Sequence, residues 1–429
     1  MVLNNRNTLT AESGKAALQA DCCIIGGGPA GAVLSLLLAR LGISVILFEA
    51  QKDFDRDFRG DSLHAVVMEL MDDLQLTEGL LAHKHSKLKT LTMVSALGAS
   101  RVADFSRLPT RHNYMTMVAQ KDFLNFMVAE AKRYPNFRVF MATSVQRLID
   151  EQGEIRGVVF NGPDGSQEAR CALTVGADGR SSRTRQMAGF ELVKFSQAVD
   201  VLWFRLPRYS HEPEGVLYRV GQGAVMGQAD RSDIWQISYI IQKGTYQKLR
   251  AQGIEGLRQS VTALVPELAD RVGLLNDWSQ ASLLSVESGY IRRWYRPGLL
   301  LIGDAAHVMS PFGGVGISYA IQDAIAAANV LADPLRSGRL HVSHLAAVQR
   351  HRELPTRVSQ HYQAMIQDQL LATAANEGIP PKPTLLRRLL RLPGLRELPT
   401  RLLAFGLWPA RLRAKQSKPP SILHSQRGA

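Results

Sequence analysis

The sequence predicts a mixed α/β (α+β) fold in which a Rossmann-like domain is interleaved with a β-sheet domain and followed by a C-terminal helical region. Three observations carry this expectation. A strand, a glycine-rich turn, an apolar helix and a second strand follow one another between Asp21 and Glu49. A second apolar run, Gly298 to Ile302, opens into another glycine-rich turn and an alanine-rich helix. Between the two, the stretch from Phe190 to Trp294 is dense in β-branched and aromatic residues separated by turn signals.

A chain of 429 residues suits two joined domains better than one small core. Its 45% hydrophobic and 21% charged content are those of an ordinary globular protein. No stretch of about 18 or more apolar residues occurs, so no membrane-spanning helix is expected. The first twenty residues are polar, lack the apolar core of a signal peptide and read as a flexible tail. Three cysteines, two of them the neighbours Cys22 and Cys23, cannot form a disulfide framework. A cytoplasmic setting is the expectation. The net charge of +13 is uneven: residues 382–418 hold ten Lys or Arg against the single acid Glu397, leaving +4 for the rest. No nucleic-acid reader motif accompanies that charge, so nucleic acid is not an expected partner. No metal-ligand cluster is read in the sequence either.

The first unit begins at Asp21. Cys22-Cys23-Ile24-Ile25 is a short apolar strand, and Gly26-Gly27-Gly28-Pro29-Ala30-Gly31 is its turn. A helix from Ala32 to Leu41 and a strand from Ile43 to Phe48 follow, ending on Glu49. This is a βαβ unit with G-x-G-x-x-G at the first turn and an acid about twenty residues on. Gly26 permits the tight turn, Gly28 lets a pyrophosphate approach the backbone, and Gly31 lets helix and strand pack closely. The helix N-terminus would face the phosphates, and Glu49 would accept from the adenosine ribose hydroxyls.

A second piece, Leu173 to Arg183, is a strand ending in the turn Gly176-Ala177-Asp178-Gly179-Arg180. The third runs from the strand Gly298–Ile302 into Gly303-Asp304-Ala305-Ala306-His307. It continues through Ser310-Pro311-Phe312-Gly313-Gly314-Val315-Gly316-Ile317-Ser318 to a helix from Tyr319 to about Leu331. Glycines beside a helix start leave backbone N–H groups free for an anion. Asp304, at a strand end, is placed to hold sugar-like hydroxyls.

These three motifs, in this order and at these distances, resemble the aromatic-ring hydroxylase family of FAD-dependent monooxygenases, the para-hydroxybenzoate hydroxylase type, from about Asp21 to about Gln360. The resemblance implies that Gly26, Gly28, Ala30, Gly31 and Glu49 hold the ADP half of FAD. It implies that Arg59 contacts the flavin and that Gln120, opening its helix, lies near the ribityl chain. Asp178 would touch both the pyrophosphate and the visiting nicotinamide cofactor, and Asp304 the ribityl hydroxyls. Pro311 would sit by the isoalloxazine ring, with Gly313, Gly314, Gly316 and Ile317 presenting amides to its N1–O2 edge. Where the family most often carries Asn, this chain has Ser318, which can donate one hydrogen bond.

The resemblance further implies a domain plan: a tail at 1–20, an FAD-binding domain from 21–190 and 291–360, a substrate sheet over 191–290, and a basic helical region over 361–429. Trp203, Tyr218, Trp235, Tyr239 and Trp294 are candidates for the cavity wall, or else plain core. The implied chemistry is reduction of FAD by NADH or NADPH, reaction with O2, and oxygen transfer to an electron-rich, lipophilic aromatic through a flavin C4a-hydroperoxide. No general base stands out: His307 belongs to the cofactor motif and reads as structural, and His64 is open between packing and function. The W-x-W-x-I-P segment of flavin halogenases is absent; the chain has Trp235-Gln236-Ile237. A prenyl-type flavin reductase and a non-catalytic flavin- or lipid-binding protein remain the alternatives. Leu385–Leu392 and Arg401–Trp408 alternate leucine and arginine at helical spacing. They would either pack on the body or make a peripheral contact with an anionic membrane.

Overall fold

The computed structural model describes residues 17–55, 61–162, 165–195, 198–376, 378–379, 395 and 397–413. An eight-stranded sheet forms its base. Five of its strands run parallel, in the spatial order Leu299–Leu301, Gly165–Gly176, Leu18–Ile25, Val45–Phe48 and Phe137–Phe140. A parallel sheet is covered on both faces, which is why Cys22 to Ile25 and Val45 to Phe48 are buried without alternation. The first strand starts at Leu18, inside the stretch read as tail, because Leu18 to Ala20 pair with Ala169 to Cys171. The first helix, Pro29–Arg40, starts three residues before the expected Ala32. Proline suits the first helical turn, where its missing N–H would have no partner in any case.

The second sheet has seven strands, ordered Ser282–Ser285, Val199–Pro207, Ile234–Gln242, Ala224–Asp230, Val216–Gly221, Thr90–Ser95 and Gly98–Asp104. The last two come from the segment assigned to the FAD-binding domain. The assignment of residues 90–104 to the FAD-binding domain is therefore corrected: they extend the substrate sheet through the parallel pairing of Leu91 to Val94 with Val216 to Arg219. The division at 360/361 falls inside one continuous helix, Val342–Ala375.

The helical stretch Phe312–Arg336, which contains the helix Gly316–Arg336, is long and apolar enough to cross a membrane by composition. Yet 83% of that apolar stretch is buried within the protein, between the helices Pro29–Arg40 and Val342–Ala375. It is the core helix of the fold, and its apolar character is accounted for by that packing. A C-terminal helix, Leu398–Phe405, closes the described chain. Leu403, Ala404 and Phe405 turn inward onto a cluster with Phe105, Leu108 and Met115, while Leu398, Leu407 and Trp408 stay exposed. The basic run Leu385–Leu392 lies outside the described residues.

Candidate active site

Strand register brings the three motifs together. Ile25 pairs with both Gly176 and Phe48, and Gly176 pairs with Leu301. The turns after those residues, which carry Gly26 to Gly31, Glu49, Asp178 and Asp304, therefore leave the same carboxyl edge of the parallel sheet. That edge is where open α/β sheets take their ligands.

Within the first turn the glycines are required for space. Gly26 has φ +101°, and a Cβ there would stand 2.6 Å from Ala177 O. A Cβ at Gly31 would collide with Gly26 O. Gly28 differs, for its nearest neighbour would be Ala177 O at 3.9 Å, so the space beside it is open to a ligand. Ala30 is buried, with its Cβ 3.3 Å from where a Cβ on Gly303 would stand; the first and third motifs touch there. Glu49 is buried; its Oε2 accepts from Gly27 N at 2.8 Å and its Oε1 from Gln51 N at 2.9 Å. A carboxylate has several acceptor positions, the chemistry that ribose hydroxyls need.

Asp178 organises its own turn: Oδ1 accepts from Ser182 Oγ, and Oδ2 from Thr184 N and Thr184 Oγ1. Asp304 is half-buried in the turn Gly303–Ala305. Gln120 is the first residue of the helix Gln120–Lys132, and its amide donates to Asp61 Oδ1 at 3.0 Å. Asp61 also pairs with Arg231, tying the flavin-side loop to the second sheet. Arg59 lies outside the described residues.

In the third motif, Pro311 precedes the turn Phe312–Gly314, and the helix begins at Gly316. Tyr319 N makes the first bond into that helix, to Val315 O, so the amides of Gly316, Ile317 and Ser318 are its orphan donors. Ser318 Oγ is buried and has no hydrogen-bond partner among the described residues. Open space at Gly28, two helix N-termini and an orphaned hydroxyl at Ser318 together fit a bound dinucleotide. Gly26, Gly28 and the helix start at Pro29 would hold its pyrophosphate, Glu49 and Asp304 its hydroxyls, and the 316–318 amides its flavin edge.

Several residues that position this site were not legible as such. Asp323, on the core helix, accepts from Gly303 N, His307 Nε2 and Arg352 Nε at 3.0, 2.5 and 2.8 Å. Burial alone would raise its carboxyl pKa, but His307 and Arg352 hold it below the usual range. Arg185 donates to Asp304 O, Ala305 O and Arg180 O, joining the second motif to the third. The helix Val342–Ala375 sends glutamine amides onto backbone carbonyls: Gln349 to Arg292, Gln360 to Gly289 and Val308, Gln363 to Ser310 and Phe312. One signal was available. Gln349, Gln360, Gln363 and Gln367 recur on one face of the helix, and all are buried.

The cavity-wall candidates divide. Trp203 and Tyr218 lie on the sheet face that packs with Phe312 of the third motif. Trp235 and Tyr239 are corrected: they point from the opposite face into a cluster with Leu257 and Val261. There Trp235 Nε1 donates to Glu212, and burial raises the Tyr239 phenol pKa, opposed by its bond to Ser260. They are one and five residues beyond Ile234, hence the same face, whereas Ser238 and Ile240 share the face of Trp203 and Val201. Trp294 is corrected as well. It is in the core of the first domain, with its ring 4.9 Å from His307.

The family described as FAD binding domain matches residues 19–361. The 6-methylpretetramide 4-monooxygenase of Streptomyces rimosus is 34% identical over 92% of this chain and 94% of its own length. Digeranylgeranylglycerophospholipid reductase 2 of Methanothermobacter thermautotrophicus is 26% identical over 75% of this chain and 80% of its own. Among solved structures, PqsL of P. aeruginosa in complex with 2-aminobenzoylacetate superposes with a TM-score of 0.74 at 20% identity, covering 82% of this chain and 97% of that one.

Proposed function

The chain belongs to the FAD-binding-domain family of flavin-dependent aromatic monooxygenases, and from that premise we propose that it hydroxylates a flat, electron-rich aromatic wider than a single ring. The observation that carries the substrate class is a row across the second sheet, Trp203, Ser238, Gly227 and Tyr218, set by register. Two aromatic side chains flank two of the smallest residues. Neighbouring strands are about 4.8 Å apart, so the row spans roughly 14 Å. A Cβ at Gly227 would stand 3.2 Å from the Tyr218 ring, so that ring leans over the floor and any larger residue would close it. The name of the Streptomyces relative, a monooxygenase of 6-methylpretetramide, agrees with an aromatic substrate.

In this proposal NADH or NADPH supplies the electrons and O2 the oxygen. Bound FAD contributes the redox chemistry, and the chain's residues do the rest. The amides of Gly316, Ile317 and Ser318 stabilise negative charge at the flavin edge, as helix N-termini do. The aromatic row lays the substrate ring flat and keeps water from it. No second glycine fingerprint for a nicotinamide domain follows the first, so the reductant would visit the same edge.

The decisive measurement is NAD(P)H oxidation with O2 uptake, screened across single-ring phenols and fused polyphenols. Product mass should rise by one oxygen atom, and fused substrates should stimulate flavin reduction most. Product formed anaerobically from reduced enzyme would turn the reading toward the prenyl-type reductase. A peripheral membrane contact is proposed only for the exposed set Leu398, Leu407 and Trp408, beside the basic run of residues 382–418.

A further inference from the structure

The turn of the third motif is held mostly through its carbonyl oxygens. Gln363 Nε2 donates to Ser310 O at 2.8 Å and Phe312 O at 2.6 Å, and Ser62 Oγ donates to Gly314 O at 2.9 Å. Gly313 O lies 3.0 Å from His64 Nε2. His64 is 1% exposed, and its Nδ1 is buried with no hydrogen-bond partner among the described residues.

These facts fix the ring's tautomer. Burial pulls the imidazole down to about 4, opposed among the described residues by the carbonyls of Gly313 and Gly314. Near neutral pH the ring is uncharged and carries one N–H. A carbonyl oxygen can only accept, so the hydrogen sits on Nε2 and Nδ1 is bare. The aromatic ring nearest to it is Phe105, with centroids 6.0 Å apart.

The need for such a hold is local. Gly313 and Gly314 both have positive φ, +76° and +63°, the conformation that only glycine adopts without strain. Two successive glycines can also turn their shared peptide over, which would place a carbonyl where the turn otherwise offers an amide. We infer that His64 is a positioning residue: as the neutral Nε2–H tautomer it locks the Gly313 peptide plane, with Ser62 locking Gly314, so that the turn keeps its amide side toward the flavin. On this assignment His64 moves no proton in turnover. Gly313 N–H donates to the hydroxyl of Tyr218, from the substrate sheet, so the same residue is touched by both halves of the site.

The inference rests on the flavin reading, and the experiment separates the two. Wild type, His64→Leu and His64→Gln are stripped of FAD and titrated with it by flavin fluorescence, and the two-electron potential of each loaded form is measured. Leucine removes the donor; glutamine restores an N–H at similar reach. Loss of a donor to a buried carbonyl should weaken FAD binding on the order of 10- to 100-fold for leucine, with glutamine within about threefold of wild type. The leucine form should also have the more negative potential. Leucine binding FAD as tightly as wild type at an unchanged potential overturns the assignment. So does glutamine failing as badly as leucine while the apoproteins melt alike. Should the leucine chain not fold, His64→Asn, whose amide is too short to reach Gly313 O, takes its place. A wild type that takes up no FAD would instead sink the flavin reading itself.

Discussion

Asp323 and Arg352 form an ion pair at 2.8 Å, with 0% and 1% of their side chains exposed. The pair runs through Arg352 Nε, Nη1 reaches only the neutral Gln322 Oε1, and Nη2 has no hydrogen-bond partner among the described residues, so the arginine's charge is balanced by that carboxylate. Asp323→Asn would leave it uncompensated in the interior and should cost about 3–5 kcal/mol. Urea unfolding of the apoprotein measures this. Asp323→Asn combined with Arg352→Met should be milder than Asp323→Asn alone. A single variant within 1 kcal/mol of wild type, on the order of an ordinary surface change, would show that the pair carries no such weight.

Asp304 stands in the turn Gly303–Ala305, just past the strand Leu299–Leu301, at the edge where the proposed FAD site lies. Asp304→Ala should purify with little flavin and rebind it weakly, since each charge-assisted hydrogen bond lost is worth roughly 1.5–3 kcal/mol. The ratio of flavin to protein absorbance reads this directly. Wild-type flavin content in the variant would remove Asp304 from the site.

The buried His64 gives stability an acid-side slope. Its pKa is about 4 in the folded chain against 6.5 for an ordinary histidine. Between those values the unfolded chain binds the proton and the folded chain does not, so stability rises with pH across the window. The contribution is complete above pH 6.5 and is lost as pH falls toward 4, at most about 3 kcal/mol. His64→Gln should therefore flatten the fall in unfolding free energy between about pH 6.5 and 4. Parallel curves for the two proteins would contradict the buried, neutral ring.

The two faces of the second sheet should respond differently. Trp203→Ala should raise the apparent KM for a fused aromatic while leaving the thermal midpoint nearly unchanged, because that ring is only partly buried. Tyr239→Ala, on the helix-covered face, should lower stability by about 3–5 kcal/mol with little effect on KM. Swapped outcomes would mean that the cavity is on the other face.

Removal of everything after Pro381 should lower the thermal midpoint, because Leu403, Ala404 and Phe405 are packed on Phe105 and Leu108. Flotation with anionic and neutral vesicles gives the companion reading. Binding by the full chain alone, needing anionic lipid and weakening with salt, would support the peripheral contact. Equal behaviour of the two chains would end it.

What the sequence revealed depended on whether the signal was local. The first turn was readable because Gly26 and Gly31 are sterically forced and lie within one βαβ unit. The pairing of Asp323 with Gly303, His307 and Arg352 was not, since it joins residues 16 to 29 positions apart and no short motif carries it. Which strand residues face the cavity was also hidden. Trp235 and Tyr239 read as well as Trp203 by composition, and a displacement of one residue along a strand decides the face. The swap of residues 90–104 into the second sheet depends on a parallel pairing with Val216–Gly221 that only the folded chain contains.

The glutamines of the helix Val342–Ala375 address the oxygens of the main chain, not the side chains beyond it. A carbonyl is the same at every residue type, so Gln360 and Gln363 would grip Val308, Ser310 and Phe312 equally well after those residues were exchanged for others of compatible size. The turn of the third motif is thus free to change its surface while its path is kept. In the proposed site, a scaffold clamped in this way could be retuned to new aromatics by substitutions at Phe312 or across the Trp203 row without moving the cofactor.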